Sequence, residues 1–331
     1  MKLATLRNGG RDGRLVVVDK SLQYALAVGT IAPTLREAIE RWDEVAPRLE
    51  AVYRSLHDPR QLPADAFAFD PQQCMAPLPR SFQWLDGSAY LNHAELVRRA
   101  RNAEMPELLY REPMIYQGAS DSFIGSREPI LVADEAAGID LEAEIAVICD
   151  DVPMGVSREA ARGHIRLLML VNDVSLRNLM PAELPKGFGF LTSKPATAFA
   201  PVAVTPDELG DAWDGVKLAL PVHSHVNDAW LGAPNAAVDM DFDFADLIAH
   251  AASTRELEAG TIVGSGTVSN RDRAAGSSCL QEKRMLEVLE FGAARTPHLR
   301  FGDVVSIEVV DDAGESVFGA IVQEVVPYAC A

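Results

Sequence analysis

Residues 140–145 read Asp-Leu-Glu-Ala-Glu-Ile and head a run that continues Ala-Val-Ile-Cys. The pattern is that of a β-strand, on which residues two apart share a face. Glu142 and Glu144 then project two carboxylates to one side, flanked by apolar Leu141, Ala143 and Ile145. Like charges side by side on an apolar strand repel each other. Either that face is open to water, or a hard divalent cation removes the repulsion. A fold for this chain has to supply one or the other.

Two later segments bear on the choice. RLLMLVND places Asp173 at the end of a strongly apolar run, where its charge is either exposed or bound to something. Ser175-Leu-Arg177 brings a cation close behind it. FGFLTSKPATAF then sets Lys194 between Phe190 and Phe199 with Pro195 beside it. Lysines usually reach out to solvent, and this setting is more constrained than most.

The remaining pattern is mainly β with some α. LATLRNGGRDGRLVVVD has two apolar runs around turn residues and predicts a hairpin. TLREAIERWDEVAPRLEAVYRSL carries Leu35, Ile39, Trp42, Val45, Leu49 and Val52 at helical spacing, with Pro47 expected to interrupt it. The irregular stretch DPRQLPADAFAFDPQQCMAPLPRS places a domain boundary near residue 75, giving units of 1–75 and 76–331. Beyond it LEAEIAVIC, VKLALPVHSHVND, GTIVGSGTV and DVVSIEVVDD read as strands. HAELVRRARNAEM, SREAARGHIRLLMLVND and FADLIAHAASTRELE read as helical patches, and EKRMLEVLE fits helix or strand. Long polar excursions between strands argue against a doubly wound sheet.

Composition excludes several function classes. With 30 Lys and Arg against 48 Asp and Glu, the net charge of −18 makes the chain a poor partner for nucleic acid or an anionic membrane. No apolar run approaches the ~20 residues of a spanning helix, and no targeting segment is visible, so a soluble cytoplasmic protein is expected. Cys74, Cys149, Cys279 and Cys330 form no CxxC pair, which speaks against a disulfide framework or a zinc knuckle. His223-Ser-His225 would share a strand face, but no third zinc ligand lies near, and a structural or surface role is favoured. Gly264-Ser-Gly-Thr267 lacks the downstream Gly-Lys of a P-loop, and no Rossmann fingerprint is present. His93, near a predicted helix start, is by itself more often structural than catalytic.

Taken in order, DGSAYLNHA, IYQG, LEAEIAV, VNDVSLR, FLTSKPATAF, GSGTVS and GSSCLQEKRMLE resemble the fumarylacetoacetate hydrolase family, specifically its two-domain bacterial-type fumarylacetoacetases. The resemblance covers most of residues 76–331. It implies a small N-terminal SH3-like β domain, a mixed β-roll or sandwich catalytic domain, and a homodimer. Position by position, it implies Asp86, Glu142, Glu144 and Asp173 as ligands of a divalent cation, Mg²⁺ or Ca²⁺ with Mn²⁺ also admissible, and no organic cofactor. His93 would be the general base, seven residues after Asp86, oriented by Glu282. Arg177 and Lys194 would face the substrate's oxyanion or carboxylates, and Tyr116 and Thr267 would contact substrate. The implied reaction is metal-dependent hydrolysis of a carbon–carbon bond in a 1,3-diketo acid, fumarylacetoacetate to fumarate and acetoacetate, as in tyrosine and phenylalanine breakdown. Related scaffolds hydrolyse acylpyruvates, decarboxylate oxaloacetate, or hydrate and isomerise dienoates. A non-catalytic, metal-stabilised binding module is the reading from a different class. Two positions depart from the family pattern: Met180 stands where Gln is usual, and the arginine expected after the base falls nearest Arg101, one residue out of step. Both bear on substrate identity.

Overall fold

The computed structural model describes residues 1–99 and 104–329. Arg101 and Cys330 lie outside the described residues. In chain order the first strands are β1 (Lys2–Leu6), β2 (Arg14–Val18), β3 (Tyr24–Ala27), β4 (Phe67–Ala68), β5 (Trp84–Gly87) and β6 (Ile115–Gly118). They are followed by β7 (Ile130–Val132), β8 (Ile139–Asp140), β9 (Ala143–Cys149), β10 (Ile165–Asn172), β11 (Ser175–Leu176) and β12 (Ala198–Phe199). The last six are β13 (Val202–Val204), β14 (Val222–Val226), β15 (Ala229–Gly232), β16 (Ile262–Gly264), β17 (Val304–Val309) and β18 (Ile321–Pro327). The helices are α1 (Leu35–Glu40), α2 (Trp42–Ser55), α3 (Leu91–Arg99), α4 (Arg158–Ala161), α5 (Met180–Glu183), α6 (Phe244–Ala251) and α7 (Leu280–Phe291).

The expected class, mainly β with some α, is what folds. One sheet runs β4-β3-β2-β1-β13-β10-β9-β16-β5-β6, with β12 also on β10. A second runs β15-β14-β17-β18-β7, and β8 pairs with β11. The predicted hairpin is β1–β2, paired from Lys2↔Val18 to Leu6↔Arg14. β1 also pairs with β13, which ties the N-terminal strands into the large sheet.

β9 and β10 are central strands and bury both faces. Ile145 and Val147 of β9 and Leu168 and Leu170 of β10 pack into one core. Ala146, Ile148, Met169 and Val171 point the other way, into a second core with Leu35, Ile39 and Leu49 of the N-terminal helices. This double burial explains one failed expectation. SREAARGHIRLLMLVND is not one helical patch: α4 ends at Ala161 and Ile165–Asn172 is strand. A strand covered on both faces reads as a continuous apolar run, with no alternation to set it apart from a buried helix.

Pro47 also differs from expectation. It sits inside α2, near its N-terminal end, and the helix break falls at Arg41, whose φ of −130° and ψ of 38° are non-helical. The break lets Leu35, Ala38 and Ile39 of α1 and Val45, Leu49 and Tyr53 of α2 all turn into the same second core. The segment EKRMLEVLE resolves as helix, within α7, which Cys279 caps by accepting from the Glu282 N–H at 3.3 Å.

Candidate active site

The same side-chain alternation that builds the second core also aims acids at one place. Trp84 of β5 faces that core, so Asp86, two residues on, shares its face. Ala146 and Ile148 face it too, so Glu144 does as well, and Asp173 follows β10 two residues after inward-facing Val171. β16 lies between β9 and β5, with Gly264 in register with both Ala146 and Asp86. A Cβ at Gly264 would stand 2.4 Å from the Trp84 ring and 2.7 Å from Asp86 Oδ1. Glycine here leaves room for the carboxylates, which is the structural role of a Gly-rich segment that lacks a phosphate signature.

Asp86, Glu144 and Asp173 each bring an oxygen to within 4.8 Å of the others, and all three are buried. Both Glu144 oxygens and Asp86 Oδ1 are buried without a hydrogen-bond partner. Burial first, then the neighbouring Asp173, pushes the Asp86 carboxyl well above the usual range. Burial, followed by Asp86 and Asp173, does the same to Glu144. The fourth acid, Glu142, lies beside this trio and is paired. Arg177 Nη2 donates to Glu142 Oε1 at 2.7 Å, and Lys194 Nζ donates to Glu142 Oε2 and to Asp173 Oδ2. Burial works to raise the Glu142 carboxyl, but the Arg177 and Lys194 cations prevail and hold it low. Lys194 is correspondingly kept charged: burial disfavours its ammonium, and Asp173 and Glu142 more than offset that.

Counting Asp140, which shares Arg177 with Glu142, five buried acids face two cations, Lys194 and Arg177, so the acids are in excess. Unpartnered buried carboxylate oxygens, an all-oxygen donor set and that charge excess fit a hard divalent cation. Among the described residues this is the one cluster of three or more metal-capable side chains. His223 and His225 are outside it, on β14, opposite Glu308 and Ser306. Cys74, Cys149 and Cys279 are buried free thiols.

Around the carboxylates stand the other predicted residues. Tyr116 of β6 is in register with Asp86 and donates its hydroxyl to Asp173 Oδ2 at 2.7 Å. Its ring lies 5.6 Å from Lys194 Nζ and packs edge-on against Phe190. Thr267 is buried on the segment after β16, whose Ser265 and Val268 amides donate to Ile145 and Ala143 at the head of β9. His93 sits in the first turn of α3 and faces α7, its Nδ1 3.1 Å from Glu282 Oε2. Glu282 is fully buried, whereas His93 keeps 17% of its side chain exposed. His93 is close enough to Glu142 to count, after Arg177 and Lys194, among the groups that hold that carboxyl low. Met180, in place of the family's usual Gln, lays its sulfur 3.8 Å from Arg177 Nη1.

Sequence reasoning missed three supporting residues. Thr197 donates its hydroxyl to Asp173 Oδ1 at 2.9 Å. Buried Asn172 accepts from the Glu142 amide and donates to Gln323, 151 residues away. Asp140, fully buried, accepts from Arg177 and from two α7 amides. Only Asp140 left a trace in the sequence, as the first acid of the Asp-Leu-Glu-Ala-Glu run.

The fold and this carboxylate centre beside an imidazole define a class, and comparison with known proteins names it. The model "Fumarylacetoacetate (FAA) hydrolase C-terminal" matches residues 83–326, and "Fumarylacetoacetase N-terminal domain 2" matches residues 1–80. The chain belongs to the fumarylacetoacetate hydrolase family, whose members are hydrolases, isomerases and tautomerases. It is 30% identical over 159 residues to 2,4-didehydro-3-deoxy-L-rhamnonate hydrolase of Sphingomonas sp. (strain SKA58), covering 47% of this chain and 53% of that protein. It is 24% identical over 263 residues to oxaloacetate tautomerase YisK of Bacillus subtilis, covering 78% and 83%. The structure of maleylpyruvate hydrolase from Sphingobium sp. SYK-6 with manganese(II) and pyruvate superposes with a TM-score of 0.66 at 16% identity, over 99% of this chain and all of that one. That likeness shows the shared fold. Among the described residues no helix is long and apolar enough to cross a membrane.

Proposed function

We propose that this chain is a divalent-metal-dependent hydrolase of a carbon–carbon bond in a diketo acid, with fumarylacetoacetate as the first candidate substrate. The supporting observation is the His93–Glu282 pair at 3.1 Å, set beside buried acids that lack partners. Asp86, Glu142, Glu144 and Asp173 would hold Mg²⁺, Ca²⁺ or Mn²⁺. When bound, the ion supplies a Lewis acid that polarises a ketone and stabilises a departing enolate. Residues 1–75 would be the small N-terminal domain and 76–331 the catalytic one. The working form would be a cytoplasmic homodimer acting on a small molecule.

The chain's own groups supply the rest. With Glu282 accepting from Nδ1–H, His93 keeps a free Nε2 that takes a proton from water. The hydroxide adds to the ketone carbon, and Lys194 and Arg177 face the oxyanion with fixed positive charge. The carbon–carbon bond then breaks, its electron pair leaving as an enolate. The proton held on His93 returns to that enolate carbon, giving a methyl ketone and a carboxylic acid, which releases its proton to solvent.

Keto–enol interconversion of oxaloacetate is the second reading, favoured by the 83% coverage of the tautomerase YisK. One experiment separates the two. Metal-loaded protein is given fumarylacetoacetate, an acylpyruvate and enol-oxaloacetate, and both diketone absorbance and acid release are followed. Hydrolysis requires stoichiometric acid release. His93→Gln should slow it by ~10²–10⁴-fold and leave Mn²⁺ affinity nearly unchanged. Loss of enol absorbance without cleavage would favour the tautomerase. Undiminished turnover by chelator-treated protein would remove the metal from the account.

A further inference from the structure

Asp140 takes no part in the chemistry above, yet it is fully buried and accepts three hydrogen bonds. Its Oδ2 accepts from Arg177 Nε at 2.8 Å and from the Gln281 amide at 2.9 Å, and its Oδ1 accepts from the Leu280 amide at 2.8 Å. Leu280 and Gln281 are the first two residues of α7, and Glu282 is the third. Helix-opening amides have no partner inside the helix and must find one elsewhere. Apart from Asp140, the side chain that caps this turn is Cys279, through a sulfur at 3.3 Å. One carboxylate therefore joins the guanidinium assigned to substrate with the turn that carries the histidine's partner.

We infer that Asp140 is a positioning residue that couples Arg177 to the His93–Glu282 pair by pinning the first turn of α7. The inference rests on the proposed reaction for its kinetic consequence only. Asp140 is enclosed and acts through Arg177 and Glu282, both of which it fixes relative to β8. Asp140→Asn keeps the volume but turns one oxygen into an NH₂ that faces donors, so at least one of the three bonds is lost. Leu280→Pro leaves Asp140 intact and removes a single N–H. Proline suits the first helical position, and Cys279 before it is already extended at φ −151° and ψ 158°, as proline demands. Leu280→Ala trims the same side chain but keeps the N–H, and so controls for packing.

The test combines kinetics, Mn²⁺ titration by electron paramagnetic resonance, and the His93 Nδ1–H resonance, assigned by its loss in His93→Gln. Asp140→Asn and Leu280→Pro should each lower kcat about ten- to a hundredfold, with Mn²⁺ affinity and Leu280→Ala within about threefold of wild type. Asp140→Asn combined with Glu282→Gln should be slower than Glu282→Gln alone by less than the full Asp140→Asn factor, because only the share carried through Arg177 remains. The His93 resonance should move in Asp140→Asn and Leu280→Pro and stay put in Leu280→Ala. An unmoved resonance, or kinetic losses that multiply, would overturn the inference and leave Asp140 as a general support of the fold. If wild type cleaves no diketo acid, the proposed function fails while the resonance still decides the role of Asp140. Should Asp140→Asn not fold, the Leu280 pair carries the decision.

Discussion

Glu144→Gln should make the metal-free protein more stable and abolish its response to metal. Glu144 is fully buried, neither of its oxygens has a partner, and oxygens of Asp86 and Asp173 lie within 4.8 Å. At an effective dielectric constant of about 20, each ionised pair at that distance repels by about 3 kcal/mol. The side chain can escape by binding a proton, which sets a ceiling on the cost. At pH 7 that ceiling is about 4 kcal/mol, since an ordinary glutamate titrates near 4.3 and each pH unit is worth about 1.4 kcal/mol. Attraction to Lys194 offsets part of it, so the net gain from Glu144→Gln is about 1–3 kcal/mol. The sign with pH follows from the raised carboxyl. Between its unfolded and folded pKa the native state holds more protons than the unfolded one, so native stability falls as pH rises, and the advantage of Gln widens from pH 6 to pH 8. Mn²⁺ at a hundred times its Kd should stabilise wild type by about 2.7 kcal/mol, roughly 4 °C in Tm, and cancel or reverse the difference. The assay is thermal unfolding with chelator and with Mn²⁺ at three pH values. A chelated Glu144→Gln that melts below wild type at pH 8, or an equal Mn²⁺ shift in both, would refute the reasoning.

Three further outcomes follow from single contacts. Gly264→Ala puts a methyl 2.4 Å from Trp84 and 2.7 Å from Asp86 Oδ1; it should cost about 1–3 kcal/mol in urea unfolding and weaken Mn²⁺ binding about tenfold or more. Asn172→Leu strands the Glu142 amide and Gln323 Oε1 in the interior, and a loss of about 2–5 kcal/mol is expected, so a change under about 1 kcal/mol would show that neither bond matters. Glu183 is held down to about 2 by the Ser193 hydroxyl, the Thr192 amide and their neighbours in the strap before Lys194. Its folded pKa is depressed, so wild type's advantage over Glu183→Gln should be full above the ordinary carboxylate range and fade as pH drops toward about 2; acid titrations followed by circular dichroism would show parallel curves if the strap bonds contribute nothing.

Much of the fold was legible where local pattern and burial agree. β1–β2, β9, β14 and β17 alternate or are bounded by turn residues, and α3 and α6 show a helical stripe. β10 was not legible, because LLMLV is covered on both faces and carries no period. Pro47 misled because α2 absorbs it at its sixth position: it forgoes the bond to the carbonyl four residues before it, and the helix still continues to Ser55. Around the site, Glu142 and Glu144 could be paired from sequence alone, since the period-2 rule acts within six residues. Thr197 and Asn172 could not, because hydroxyl and amide side chains are everywhere and their partners were unknown until the strands were placed.

By itself the sequence determined which side chains would be uncomfortable anywhere but at a shared centre: two carboxylates on an apolar strand, an aspartate ending an apolar run, a lysine among aromatics. Those are local properties of charge and hydropathy, and they survive in one dimension. Asp86 was grouped with them only through the family resemblance; the tertiary structure decided how it gets there, by a parallel pairing with β16 that needs a glycine at 264. Glu282 with His93, 189 residues apart, was expected only through the family resemblance, and the tertiary structure supplied their contact; it alone showed that Asp140 ties that pair to Arg177. Contacts between distant segments depend on strand order and helix placement, which are set by how the two cores pack on the faces of one sheet.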